Sequence, residues 1–191
     1  MTSRLIRVFL LVTVAVLTTV IAYMAPASGQ ADGEAAPIYG IKIPAGYRDW
    51  RMISVAHVGE PLNDLRVKLG NDIAIKAYQE GKPFPDGAII ARLAYRAVTS
   101  EENNIVFRAA AERQGLPPEQ VTKLLTGSLV AGPATNVQFM VKDSKKYAAT
   151  GGWGFAQFTN GKPDGEALHK TCFACHAPAK DHDFVFTRYT P

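Results

Sequence analysis

Apolar side chains recur at every second position through much of this chain, and that rhythm restricts the fold more than any other feature of the sequence. Residues 50–58 (WRMISVAHV) and 65–69 (LRVKL) follow it, with Leu65, Val67 and Leu69 on one face. A strand has a side-chain period of two, so one face of each segment is buried and the other carries the polar residues. Gly70-Asn71-Asp72 signals a turn, and residues 73–78 (IAIKAY) read as the next strand. Residues 80–87 contain two glycines and two prolines and read as a loop ending in the tight turn Pro85-Asp86-Gly87. Residues 88–95 (AIIARLAY) resume the alternation. Strands separated by short turns argue for an antiparallel sheet, not for βαβ units.

The rhythm changes at Thr99. Thr99-Ser100-Glu101-Glu102 is a polar helix start, and residues 105–114 (IVFRAAAERQ) are helix formers closed by Gly115. Pro117-Pro118-Glu119 opens a second short helix through Leu125, with Gly127 just beyond it. Residues 100–127 therefore read as a helical hairpin set into a mainly β domain. Strand character returns at residues 137–141, 152–158 and 184–189.

The N-terminus has a different character. Arg4 and Arg7 precede an almost unbroken apolar run over residues 8–24, and the small-residue tract APASGQA follows. That order is a secretory leader over residues 1–31, cleaved after Ala27 or Ala31, with an uncleaved membrane anchor as the alternative. The body is then periplasmic: a flexible linker over residues 32–43 and one domain over residues 44–191, long enough for a real core. The net charge of +4 includes both leader arginines, so the remainder carries 19 Lys and Arg against 17 Asp and Glu. With no run of basic residues, nothing suggests a nucleic-acid partner.

The chain has two cysteines, both in Cys172-Phe173-Ala174-Cys175-His176. C-x-x-C-H is the attachment motif of a c-type haem. Two thiols three apart on a tight loop reach the two vinyl edges of one porphyrin, and the next imidazole falls beneath the iron as the proximal ligand, His176. Three other readings compete: a zinc site completed by His169 and His182, a thioredoxin-like redox pair, and a plain disulfide. For a sixth iron ligand the chain offers Met52, Met140, His57, His169 and His182. Met52 and Met140 sit in strand patterns and His57 is a lone strand histidine, so an open, five-coordinate iron is the better reading.

Four ordered segments carry a resemblance. They are Phe84-Pro85-Asp86-Gly87, Val141-Lys142-Asp143-Ser144, Thr150-Gly151-Gly152-Trp153-Gly154-Phe155 and Thr171 through Ala177, with the ending Asp183-Phe184-Val185-Phe186-Thr187-Arg188-Tyr189. Together they resemble the cytochrome P-460 family. The resemblance implies a mainly antiparallel β domain, a homodimer, and one haem c held by Cys172 and Cys175. The family's distal pocket is sized for hydroxylamine or a diatomic gas. One branch carries a lysine-to-porphyrin cross-link and oxidises hydroxylamine to nitrous oxide. The other, the cytochrome c′-beta type, lacks the link, lines the pocket with phenylalanine and binds nitric oxide or carbon monoxide.

By position Lys76 matches the cross-linking lysine, with Lys82 and Lys68 as fallbacks, and Phe84 matches the phenylalanine cap. Their alternatives are an exposed strand lysine and a core residue anchoring the turn. Hydroxylamine oxidation also needs a proton acceptor with a raised pKa, for which Glu166 is the candidate with Asp164 behind it. Both acids read equally as solvated members of a Gly-Lys-Pro-Asp-Gly turn. Arg51 or Arg48 would polarise the substrate, and another periplasmic cytochrome c would take the electrons. A simple electron carrier with a filled sixth site is the remaining alternative.

Overall fold

The computed structural model describes residues 33–191, so the leader expected over residues 1–31 lies outside the described residues. Six strands pair in chain order into one open antiparallel sheet: β1 (Arg51–Val58), β2 (Asp64–Gly70), β3 (Ile89–Thr99), β4 (Leu129–Lys142), β5 (Trp153–Thr159) and the short β6 (Lys162–Pro163). Helix α1 (Asp72–Glu80) lies between β2 and β3. The expected helical hairpin, α2 (Glu101–Arg113) and α3 (Pro118–Gly127), joins the long strands β3 and β4 at the Thr99–Leu129 end of their ladder. Helix α4 (Glu166–His176) follows β6, runs into a 3-10 turn over Ala177–His182, and leaves an irregular tail. Among the described residues no helix is long and apolar enough to cross a membrane.

The register gives the sheet two unlike faces. One row runs Val67, Leu93, Val137, Phe158, and its neighbour runs Leu69, Ala91, Phe139, Ala156. These rows belong to the main core, where Ile53, Ile75, Phe139, Trp153 and Phe158 are fully buried. One residue along each strand the side chains point the other way. There the row runs Ser54, Lys68, Arg92, Gln138, Gln157, flanked by Ile90, Met140 and Phe155. This second face supports the site described below.

Four expectations need correction. Residues 73–78 are helical, not a strand. Asn71 caps α1 by accepting from the Ala74 N–H at 3.0 Å, and Gly81 ends it in the left-handed region at φ 62°. Ala74, Ile75 and Ala77 are the residues it buries. The tail after residue 183 is extended but unpaired in the sheet, because Asp183 and Phe184 both have positive φ. It is tied down instead by the Tyr78 hydroxyl donating to Thr187 O at 3.0 Å and by the Thr190 N–H donating to Ile53 O at 2.8 Å. The two cysteines stand on a helix rather than a tight loop. Finally, residues 36–41 are no flexible linker: Ala36, Tyr39 and Ile41 are buried, and Tyr39 O accepts the Tyr147 hydroxyl at 3.0 Å.

Candidate functional site

Helix α4 begins after Gly165 and is braced by an exposed Glu166–Lys170 ion pair at 2.7 Å, one helical turn apart. Residues three apart on a helix share a face, so the free thiols of Cys172 and Cys175 point the same way. Burial, with Cys175 alongside, pushes the Cys172 thiol above its ordinary pKa. Both cysteines line a cavity of about 740 Å³ between α4, the tail and the second face of the sheet.

His176, the last residue of α4, lines the same cavity. Its Nδ1–H donates to the Phe184 carbonyl at 2.8 Å, which leaves Nε2 as the free lone pair. The ring is held between Phe155 and Phe186, each 4.9 Å away by centroid. Burial pushes its pKa below the usual histidine range, so the imidazole is neutral and ligand-ready near pH 7.

The opposite wall is cationic. Arg66, Lys68 and Arg92 all line the cavity, and Lys68 stands directly across the ladder from Arg92. Arg66 pairs with Asp64 at 3.2 Å, and Arg92 donates to Asn136 Oδ1 at 2.6 Å, yet the Nε of each guanidinium is buried without a partner. Burial and the Arg66 guanidinium lower the Arg92 pKa to about 10. Burial first, then Arg66 and Arg92, push the Lys68 amine below its ordinary value. Like charges paired across a ladder destabilise a sheet unless something anionic sits among them. Gln138 and Gln157 complete the wall, hydrogen-bonded to each other, and Asp164 accepts from Gln157 Nε2 at 2.7 Å.

A haem c fits these residues. The volume lies in the range of cofactor pockets, and two thiols and one imidazole lone pair converge on it. Phe186 is 62% exposed beside His176. An apolar macrocycle would cover it, and the haem carboxylates suit the cationic side chains of Arg66, Lys68 and Arg92 that line the cavity.

The profile of the cytochrome P460 family matches residues 44–187. The chain belongs to the cytochrome P460 family. No curated protein matches it. Family membership makes it a cytochrome P-460-like redox protein, and it fits the haem reading of Cys172, Cys175 and His176. The zinc and thioredoxin-like readings lack their parts. His169 is fully buried with both ring nitrogens committed, Nδ1 to Gly165 O and Nε2 to the Gln157 N–H, each at 3.0 Å. Among the described residues no group of three or more His, Cys, Asp or Glu is placed to hold a metal ion, and the sheet has no parallel pair to make a thioredoxin-like unit.

Of the other candidate residues, Lys68 and Met140 line the cavity and most of the rest do not. Lys76 is on the outer side of α1, its side chain 76% exposed and 3.9 Å from Glu80, and it does not line the cavity. Lys68 does. Lys82 pairs with Glu80 at 2.9 Å. Phe84 is a core residue, edge-on to Tyr78 and Trp153 at 4.8 and 5.5 Å, and caps nothing in the cavity. Glu166 is exposed, and its bond to Lys170 holds its carboxyl below the usual range, the reverse of a raised-pKa acceptor. Arg51 faces solvent and reaches Asp72 at 3.4 Å. Among the sixth-ligand candidates only Met140 lines the cavity; His57 bonds Asn63 at 3.1 Å, and Met52 is exposed. Arg92, Gln138 and Gln157 escaped the sequence reading, because alternation alone assigns polar strand positions to solvent. Their shared strand parity with Lys68 was the available signal.

Proposed function

We propose that this chain is a periplasmic, mono-haem c-type cytochrome that oxidises hydroxylamine and passes the electrons to another exported cytochrome. The observation behind it is the polar row Ser54–Lys68–Arg92–Gln138–Gln157, which faces Cys172, Cys175 and His176 across one cavity. A small N–O substrate carries both hydrogen-bond donors and acceptors, and that wall offers partners for each. Phe84, the residue that stood for a gas-binding site, packs in the core instead.

A bound haem iron supplies the redox change and an electrophilic position for nitrogen. The chain's own residues do the rest. His176 Nε2 would offer its lone pair to the haem iron, the ring being fixed by the Nδ1–H bond to the Phe184 carbonyl. The guanidinium groups of Arg66 and Arg92 hold anionic oxygen. The Gln138 and Gln157 amides orient a polar substrate. Lys68 takes the cross-linking place first given to Lys76, because its amine lines the cavity and is depressed toward the free-base form.

Steady-state assay of the holoprotein with hydroxylamine and ferric cytochrome c as acceptor tests the reading. Turnover well above that of free haem is expected; turnover equal to free haem, with a stable ferrous nitrosyl, transfers the chain to the gas-binding branch. The homodimer rests on the family resemblance, and the mass in solution checks it.

A further inference from the structure

The family-like segments outside the attachment motif meet at one half-buried carboxylate. Asp183 Oδ1 accepts from Lys142 Nζ at 2.6 Å and from Trp153 Nε1 at 3.2 Å, and Oδ2 accepts from the Phe84 N–H at 2.9 Å. Lys142 also lies over the Trp153 ring, 5.0 Å from its centroid, and donates to Gly151 O at 3.2 Å. Phe84 comes from F-P-D-G, Lys142 from V-K-D-S, Trp153 from T-G-G-W-G-F and Asp183 from the C-terminal ending. Asp86 joins the first two again by accepting from the Ser144 N–H at 2.7 Å and its hydroxyl at 2.8 Å.

The backbone beyond this hub is bent. Asp183 has φ 52° and Phe184 φ 63°, left-handed values that cost a non-glycine residue energy unless its surroundings hold them. The Phe184 N–H donates back to Ala179 O at 2.9 Å. That bend turns the Phe184 carbonyl toward His176 Nδ1. The Phe184 ring occupies the space over Gly151, where an added Cβ would come within 2.2 Å of it.

We propose that Asp183 is a positioning residue for His176: its carboxylate, gripped from three sides, fixes the bend that aims the Phe184 carbonyl at Nδ1 and so sets the direction and electron donation of Nε2. The chain of contacts is Lys142, Trp153 and the Phe84 amide to Asp183, then the Phe184 carbonyl to His176. It rests on the reading of His176 as the axial ligand. A strong, linear Nδ1–H···O=C bond makes an imidazole more basic and a better donor to a metal. Loosening the bend weakens the bond and reduces that donation.

The test uses holoprotein matured with covalent haem. Asp183→Asn keeps the shape, removes the charge that holds Lys142, and replaces one acceptor with a donor. The pyridine haemochrome spectrum first establishes one covalent haem per chain. The expected result is a lower iron–histidine stretching frequency in the ferrous protein by resonance Raman, split or broadened, with a midpoint potential shifted upward. A stretch and potential equal to wild type, with only the melting temperature lowered, would overturn the proposal and leave Asp183 a purely structural clamp. Trp153→Phe, which removes one donor and keeps the ring, gives a smaller shift of the same sign; if Asp183→Asn does not mature, this variant decides, and an unshifted stretch counts against the proposal. A wild-type chain that takes up no covalent haem fails the axial-ligand reading itself, a different result from a haem protein whose stretch ignores Asp183.

Discussion

Lys68 holds its amine in a poor place for a cation. Arg92 stands across the ladder, Arg66 lies two residues back on the same strand face, and the surroundings are partly dry. Each effect favours the uncharged amine, which is the nucleophilic form. Lys76, by contrast, lies in solvent on α1 beside Glu80. Lys68→Met is therefore expected to abolish any red shift of the main ferrous haem band and to lower hydroxylamine turnover at least tenfold. Lys76→Met should leave both within about twofold. The reverse pattern, read from ferrous spectra and steady-state rates of the two variants, returns the cross-linking role to Lys76. Arg66 and Arg92 present a related imbalance, since each keeps a buried Nε without a partner. A buried donor left without an acceptor costs stability, so both arginines are held in this wall at a cost to the fold.

Helix α1 shows how a short element is decided by its ends. Asn71 Oδ1 accepts from the Ala74 N–H at 3.0 Å and from the Ile89 N–H at 3.1 Å, while Nδ2 donates to Gly87 O at 2.8 Å. One side chain thus caps the helix and ties it to the start of β3. Asn71→Ala should cost about 1–2 kcal/mol, the upper part of the range for a lost cap, because the Ile89 amide also loses its acceptor. A lower urea midpoint with unchanged slope is the expected signature, and Asn71→Asp should recover most of it. The same residues explain a misreading. Ile73 and Ile75 alternate like a strand, but Ala74, Ile75, Ala77 and the half-buried Tyr78 also make one helical face. Over six residues the two periods are indistinguishable, and only Asn71 and Gly81 break the tie. β1, β2, β3 and the helical hairpin were legible because alternation or capping extended far enough. The tail was not, since Phe184, Val185 and Phe186 have strand-like composition while the bend at Asp183 depends on Lys142 and Trp153, distant in sequence. Cys172, Cys175 and His176 were readable from spacing alone, whereas Lys68, Arg92, Gln138 and Gln157 become a wall only once the strands are in register.

The described domain has two ends joined by the long β3–β4 arm. At one end Ile90 and Arg92 pair with Met140 and Gln138 in the cavity wall; at the other, Thr99 pairs with Leu129 beneath the helical hairpin. Seven residues of strand separate Arg92 from Thr99, a span of roughly 23 Å. The hairpin also has its own small core of Ala111, Val121 and Leu125 with Leu116 packed on it, separate from the main one. A part that shares neither core nor wall with the cavity should be removable. Replacing residues 100–128 by Asn-Gly closes the Thr99–Leu129 pair with a two-residue turn whose twist suits the strands. The shortened holoprotein should keep the ferrous spectrum, the midpoint potential and the hydroxylamine turnover of the full chain, with a modest loss of melting temperature. The hairpin exposes Ile105, Val106, Phe107 and Leu124. If turnover with a small chemical acceptor survives while turnover with a cytochrome acceptor falls, the arm acts in electron delivery and not in building the cavity. A changed ferrous spectrum would mean instead that the arm holds β3 and β4 in the register that brings Arg92 and Gln138 to the wall.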